Sequence, residues 1–530
     1  MTIIKNNDYL IFNKYLKKNK VKLFRTHKEK FFSIYSETLK SLKILLNKYH
    51  NIKFNTKDWE IIIGPWLFLT LNIFFFYSSL NLKKQNLSGK KKVKDVNLSD
   101  VVPIDFDDYY NLISRNEFFI KHFFTHENTK LNLKYKKIVK IQKNSFLKNF
   151  LNLTTKKICR ENSIIFNNLK INKLSMVKLI LFNLFKFQPF YSKNSLECLT
   201  KIKKTIDRKE FFSDFSKINS SEKNFTFFLE QTMPSSYLEN FSVIKDYAIL
   251  NFPRSNFFLT ESSYINDDFF KINCSLSKKR NLVIMQHGGN LRFYDKNLHD
   301  LVENRISSKI LVWGKIKRSK KEIFFPSTRL IKFKNTIPKY DEKKNRFKYC
   351  VIFEPFRKFK IQFFKINFPL ENLLEITKFF KKIKEKNFLV KLHYEKEQSN
   401  FISKNEILKI CNIKQSHIAK DLDKVLKSEL IIFNYLSTMM FEILQINKPF
   451  IVIIKNEDHF FSKLGHSLVK DLKKNKLLFN NIEQFYSFSR KIDIHTWWHS
   501  KKNQKFLNEL KKNYSLIDDN FSFNAIINKI

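Results

Sequence analysis

LIIFNYLSTMMFEILQINKPFIVII, residues 430–454, changes its hydrophobic period twice. Leu430 to Phe433 is a short continuous apolar run, the pattern of a strand buried on both faces. Asn434-Tyr-Leu-Ser-Thr438 is a turn, a helix is expected from about Thr438 to Gln445, and Pro449 to Ile454 is a second apolar run. Strand, helix and strand at this spacing form a βαβ unit, which requires a parallel sheet. Upstream the same grammar continues. Tyr349-Cys-Val-Ile-Phe353 and Phe388-Leu-Val-Lys-Leu-His393 read as strands, with an amphipathic helix between them at Leu370 to Lys386. Ile310-Leu-Val-Trp313 before Gly314, Leu282 to Met285, and a segment within Ile244 to Leu259 read as further strands. The expectation is an α/β protein built on two Rossmann-like domains.

Residues 1–82 are helical in pattern, with apolar spacing through Phe31-Phe32-Ser-Ile-Tyr35 and Leu39 to Leu46. A basic loop follows at Lys83 to Lys94, and Asn335 to Lys348, with Pro338 and many charges, reads as a linker. The expected organisation is a helical N-terminal extension (1–95), a first α/β domain (96–338), a second α/β domain (348–480) and a C-terminal helical segment (481–530). At 64.1 kDa the chain exceeds one ordinary core, and no internal repeat is visible.

Hydrophobic residues at 43% and aromatics at 16% exclude general disorder. The formal charge of +50 attracts anionic lipid or phosphorylated substrates. The cations are spread along the chain without a nucleic-acid-binding signature, so no nucleic-acid partner is expected. Cys159, Cys198, Cys274, Cys350 and Cys411 stand singly, which argues for a reducing compartment and against structural zinc. The start, Met1-Thr-Ile-Ile-Lys-Asn-Asn-Asp8, lacks the apolar core of a signal peptide. Cytoplasmic location is expected, with peripheral attachment at the inner membrane face. Ile61 to Leu80 has the length of a bilayer span but is interrupted by Gly64, Pro65, Thr70, Asn72, Ser78 and Ser79. A buried helix entering through Gly64-Pro65, with Pro65 in its first turn, is the expectation.

Six glycines serve 530 residues, and two stand together in Asn281-Leu-Val-Ile-Met-Gln-His-Gly-Gly-Asn290. Glycine allows positive φ and close backbone approach to a ligand, and ligands bind at the carboxyl ends of parallel strands. His287 is the candidate general base, since a neutral imidazole titrates near working pH. Gly288 and Gly289 would offer bare N–H groups to an oxyanion or phosphate. The plainer alternative is a Gly-Gly turn with a surface histidine. In the 434–438 turn, Ser437 or Thr438 suits a helix N-cap, and a helix N-terminus beside a strand end is a ready anion site. Glu442 lies one turn on, on the face of Thr438, and could take ribose hydroxyls; a capped helix with a solvated Glu is the alternative. Lys391 and His393 share one strand face and could meet a diphosphate, although a structural histidine is common at a strand end. His299 is a second polar candidate. Asp105-Phe-Asp107-Asp108 imitates a metal-binding D-x-D, but no metal site and no cofactor are expected.

Several segments together resemble a family of transferases from bacterial O-antigen and surface-polysaccharide clusters, of the leptospiral O-antigen locus type. They are Trp59-Glu-Ile-Ile-Ile-Gly-Pro-Trp-Leu67, Leu238-Glu239 after Pro234, and Gln286-His-Gly-Gly-Asn290. Trp313-Gly314, Asn434 to Thr438 with Glu442, Asn447-Lys-Pro449 and Trp497-Trp498 complete the series. The carboxyl half is similar in layout to two-domain nucleotide-sugar transferases of the GT-B type, including Kdo and glycerol-phosphate transferases. That resemblance implies a donor held in the second domain by Lys391, His393, Ser437, Thr438 and Glu442, with His287 facing it from the first. The chain departs from the pattern in having no glycine between residues 434 and 438.

The resulting expectation is a metal-independent, GT-B-like glycosyltransferase of cell-surface polysaccharide (O-antigen type) synthesis. Its partners would be a nucleotide-activated sugar, a glycan or lipid-linked acceptor, and an anionic membrane surface. Two rivals stand beside it: a polyol-phosphate transferase of the same architecture, and a non-catalytic basic scaffold at the membrane surface.

Overall fold

Phe31, Tyr35, Leu39, Leu42 and Leu46 recur at helical spacing and are all buried along one face of the first described helix, α1 (31–50). The structure, a computed structural model, describes residues 31–79, 102–115, 154–169, 186–189, 206–219, 223–289, 291–294, 302–337, 345–353, 375–380, 382, 387–392, 404–455 and 461–518. The chain divides into two units. The first is Met1–Asn168, Ile180–Leu282 and Arg305–Ser307; the second is Leu169–Leu179, Val283–Asn304 and Ser308–Ile530. The four-part organisation expected from the sequence stands beside this grouping as a proposal.

In the first unit, Asn55 and Asp58 decide where helix α2 (Thr56–Ser79) begins. The Asn55 side chain accepts from the Asp58 N–H at 3.0 Å, and the Asp58 carboxylate accepts from the Asn55 N–H at 2.7 Å. This reciprocal cap satisfies the first N–H groups of the helix. The expectation that Gly64-Pro65 opens the helix is therefore corrected. Pro65 lies inside it, where its ring removes the backbone bond to the Ile61 carbonyl. Thr56–Phe75 is long and apolar enough to cross a bilayer, yet 89% of its most apolar window is buried against the protein. Trp66 Nε1 donates to the Thr232 carbonyl at 3.1 Å, and Thr70 and Tyr109 share a hydroxyl bond at 2.5 Å.

Helix α3 (Phe106–Arg115) is capped by the acidic run: Asp105 Oδ1 accepts from the Asp108 N–H at 2.8 Å, and Asp108 Oδ2 from the Ile104 N–H at 3.0 Å. Strands β1 (Ile164–Asn167), β2 (Phe187–Pro189) and β3 (Phe257–Thr260) are parallel, with β1 between the other two. Helices α4 (Arg208–Ile218), α5 (Lys223–Thr232), α6 (Phe241–Asn251) and α7 (Asp268–Leu276) also belong to this unit.

The second unit takes in β4 (Asn281–Met285) from Val283 onward, with β5 (Lys309–Val312) and β6 (Glu322–Phe324) parallel beside it. After α8 (Thr328–Thr336) comes a five-stranded parallel sheet in the order β11-β10-β9-β7-β8. Its strands are β7 (Phe347–Ile352), β8 (Phe388–Lys391), β9 (Ser428–Phe433), β10 (Phe450–Ile453) and β11 (Leu478–Phe479). Helix α9 (Thr438–Gln445) joins β9 to β10, and α10 (Lys463–Lys474) leads to β11. Helices α11 (Ile482–Ser489), α12 (Ile494–His499) and α13 (Lys501–Tyr514) follow. The protein is α/β, with parallel sheets in two Rossmann-like groups and a helical N-terminal region.

Candidate functional site

Phe433, Ile352 and Lys391 lie at one level across three neighbouring strands, with Ile352 paired to both of the others. That level is the carboxyl edge of the sheet. Phe433 leads into the turn Asn434-Tyr-Leu-Ser437, whose side chains are all buried. Ser437 caps α9: its Oγ accepts from the Met439 N–H at 3.1 Å and donates to Tyr435 Oη at 3.1 Å. The Met440 N–H bonds the Ser437 carbonyl at 3.2 Å. Two of the N–H groups that a phosphate would use are thus satisfied by Ser437 itself, and an incoming anion would have to compete with them.

Thr438 reaches a different part of the chain. Its Oγ1 accepts from the Gly289 N–H at 3.0 Å. This bond joins the His287-Gly-Gly289 turn after β4 to the N-terminus of α9, bringing together the two segments singled out in the sequence. Gln286 braces that turn: its Oε1 accepts from the Trp313 N–H at 3.1 Å, and its Nε2 donates to the Gly288 carbonyl at 3.1 Å. His287 is half-buried at the tip of the turn. The glycine requirement is steric. A Cβ on Gly289 would come within 2.5 Å of the Phe441 ring and 3.2 Å of Trp313. No described glycine has positive φ, so the expected conformational reason gives way to a packing one. The Gly289 N–H is engaged by Thr438, which leaves the Gly288 N–H as the amide to consider for an oxyanion.

Glu442, one turn beyond Thr438, is 8% exposed. Arg329 of α8 donates its Nε to Glu442 Oε1 at 2.6 Å. Nothing in the sequence marks Arg329, because a lone arginine in a basic chain carries no spacing signal. Lys391 ends β8, two strands from Phe433, roughly 10 Å across the sheet. Its Nζ donates to the Lys420 carbonyl at 2.8 Å. Partial burial pulls its pKa below the ordinary lysine value, with the Asp421 carboxylate opposing. His393, His299 and Asn290 lie outside the described residues. Asp105 and Asp108 act as helix caps, and among the described residues no three His, Cys, Asp or Glu side chains form a metal-ligand cluster.

A sequence model of one family, described as the LIC12162 family transferase, matches residues 3–528. The chain belongs to this transferase family. No curated protein matches it in sequence. Among solved structures it is similar to the wall teichoic acid polymerase TagF, at 10% identity and a TM-score of 0.30, covering 72% of this chain and 92% of that one. It is also similar to MurG of Acinetobacter baumannii, at 8% identity and a TM-score of 0.29, covering 67% of this chain and 92% of that one.

Several of the segments that suggested the family are structural anchors in the fold. Glu239 holds Arg208 through two bonds, 2.7 Å and 2.8 Å, in a fully buried pair. Arg208 Nη1 also donates to the Glu230 and Met233 carbonyls at 2.7 Å and 2.9 Å, so both of its hydrogens find acceptors. Asn447, with φ of 55°, takes the Trp498 indole N–H on both its carbonyl and its side-chain oxygen, at 3.0 Å and 3.1 Å. Gly314 lies against the end of α13, where a Cβ would meet the Asn513 carbonyl oxygen at 1.8 Å.

Proposed function

We propose that this transferase moves a sugar from a nucleotide-activated donor to a glycan or lipid-linked acceptor in surface-polysaccharide assembly of the O-antigen type. It would act without metal, in a GT-B-like arrangement at the cytoplasmic face of the membrane. The observation that carries the reading is the Gly289–Thr438 bond, which puts a histidine-bearing turn beside a helix N-terminus at a strand's carboxyl edge. Family membership supports group transfer.

In this reading His287 takes the proton from an acceptor hydroxyl, whose oxygen then attacks the anomeric carbon. The bond from that carbon to the donor phosphate breaks, and the nucleotide phosphate leaves with the electron pair. The α9 N-terminus, Thr438, Lys391 and the Gly288 N–H would stabilise the departing charge, with Ser437 fixing the turn and Glu442 and His393 completing the donor site.

The test pairs binding with turnover. A panel of nucleoside mono- and diphosphates should raise the melting temperature of the full chain, since a ligand held only by the native state stabilises it. With nucleotide sugars and a membrane fraction as acceptor, His287→Ala should cut turnover about 100-fold or more while keeping nucleotide binding. Sugar transfer that vanishes with chelator and returns with Mn²⁺ would overturn metal independence. A protein stabilised by no nucleotide, or a His287→Ala variant with full turnover, would overturn the reading itself.

A further inference from the structure

The Arg329–Glu442 pair has an unused side. Arg329 Nε is bound to Glu442 Oε1 at 2.6 Å, yet among the described residues neither Nη1 nor Nη2 has a hydrogen-bond partner. The Arg329 side chain is 31% exposed and that of Glu442 is 10% exposed. The guanidinium is therefore anchored at one edge by a buried carboxylate and open to solvent at the other. Glu442 sits four residues after Thr438, so the anchor is about 6 Å along α9 from the residue that holds the Gly289 turn. A guanidinium is planar, and a fixed Nε leaves its two Nη groups as a preset fork for an oxyanion.

We infer that Arg329 is an anion-binding residue of the donor site and that Glu442 acts chiefly by orienting it. This rests on the nucleotide-donor reading above and changes the role of Glu442 within it. The donor meets a guanidinium fork that takes diphosphate oxygens. Glu442 is a positioning residue: it neutralises part of the charge and stops the arginine from swinging away. Its second oxygen, Oε2, has no partner among the described residues, so a ribose contact through that atom is the competing role.

Calorimetric titration of the full chain separates the two roles. The probes are a nucleoside diphosphate, its 2′,3′-dideoxy counterpart and inorganic pyrophosphate. Arg329→Lys keeps the charge but loses the fork, and it should weaken all three about ten- to hundred-fold. Glu442→Gln should weaken all three as well, the dideoxy compound and pyrophosphate included, and should add little in the Arg329→Lys background. Thermal melts of each variant report whether the fold is kept. A Glu442→Gln loss confined to the ligand with ribose hydroxyls would overturn the positioning role. Unchanged affinities in Arg329→Lys would overturn the anion role while leaving the nucleotide-donor reading intact. If the protein binds pyrophosphate through Arg329 but no nucleoside diphosphate, the anion site stands and the nucleotide-donor reading falls. A wild-type protein that binds none of the three sinks both.

Discussion

Gly289 shows how a single missing side chain can determine a site. The Phe441 ring that a Cβ would strike is fully buried and packed on Phe293, with centroids 5.6 Å apart, so it has little room to move. Gly289→Ala should cost about 1–3 kcal/mol, the usual range for overpacking, and should loosen the bond to Thr438. Urea unfolding measures the cost, and a variant as stable as the parent would show that the ring can yield. His50 is a second residue with a measurable signature. It is 6% exposed, its Nε2 is 3.2 Å from the Tyr237 carbonyl oxygen, and its ring lies 4.5 Å from that of Phe241. Burial lowers its pKa to about 4, with the bond to Tyr237 opposing. The unfolded chain has the ordinary value of about 6.5, so the folded state binds fewer protons between the two. Stability is therefore fully present above about pH 6.5 and lost as pH falls towards 4, at about 1.4 kcal/mol per pH unit. His50→Gln should flatten that part of the urea-midpoint profile. If the variant and the parent lose stability in parallel, the acid sensitivity comes from other groups. The sequence offered His287 and the glycine pair, since scarce glycine and a histidine after an apolar run stand out. It offered no sign of Arg329 or His50, whose roles depend on neighbours far along the chain.

At the scale of elements, local chemistry was readable wherever the chain announces a boundary by itself. The β9–α9–β10 unit was legible because apolar runs, a Ser-Thr cap and Pro449 follow one another without interruption. Ser437→Ala should destabilise the fold by about 1 kcal/mol, and Ser437→Gly by only a few tenths, as expected for a true N-cap. Equal losses in thermal melts of the two variants would show that the hydroxyl bond to Tyr435, not the cap, holds the turn. Where two local signals compete, the sequence misleads. Gly64-Pro65 has the composition of a helix start, but the Asn55–Asp58 cap lies upstream and the burial of Trp59, Ile61, Ile62 and Ile63 holds that first part helical. Short elements such as β6 and β11 escaped the reading because two or three residues carry no period.

For the whole molecule, the charge of +50 makes a prediction independent of any site. Vesicles containing anionic lipid should sediment with the protein at low salt, and about 1 M salt, where the Debye length is about 3 Å, should release it. Retention at that salt would mean apolar insertion in place of electrostatic attachment. Composition alone supports this expectation, because a long-range field depends on the sum of charges more than on their arrangement. The class of fold was likewise set by the sequence: apolar runs alternating with helical spacing admit parallel βα units and little else. Which segments meet was decided by the tertiary structure. Gly289 and Thr438 are 149 residues apart, and Arg329 and Glu442 are 113 apart. In a chain this rich in Phe, Ile and Lys, periodicity reports which way a side chain faces and nothing of what it faces. Pairing across such separations is fixed only when the sheets form and their carboxyl ends bring the turns within reach.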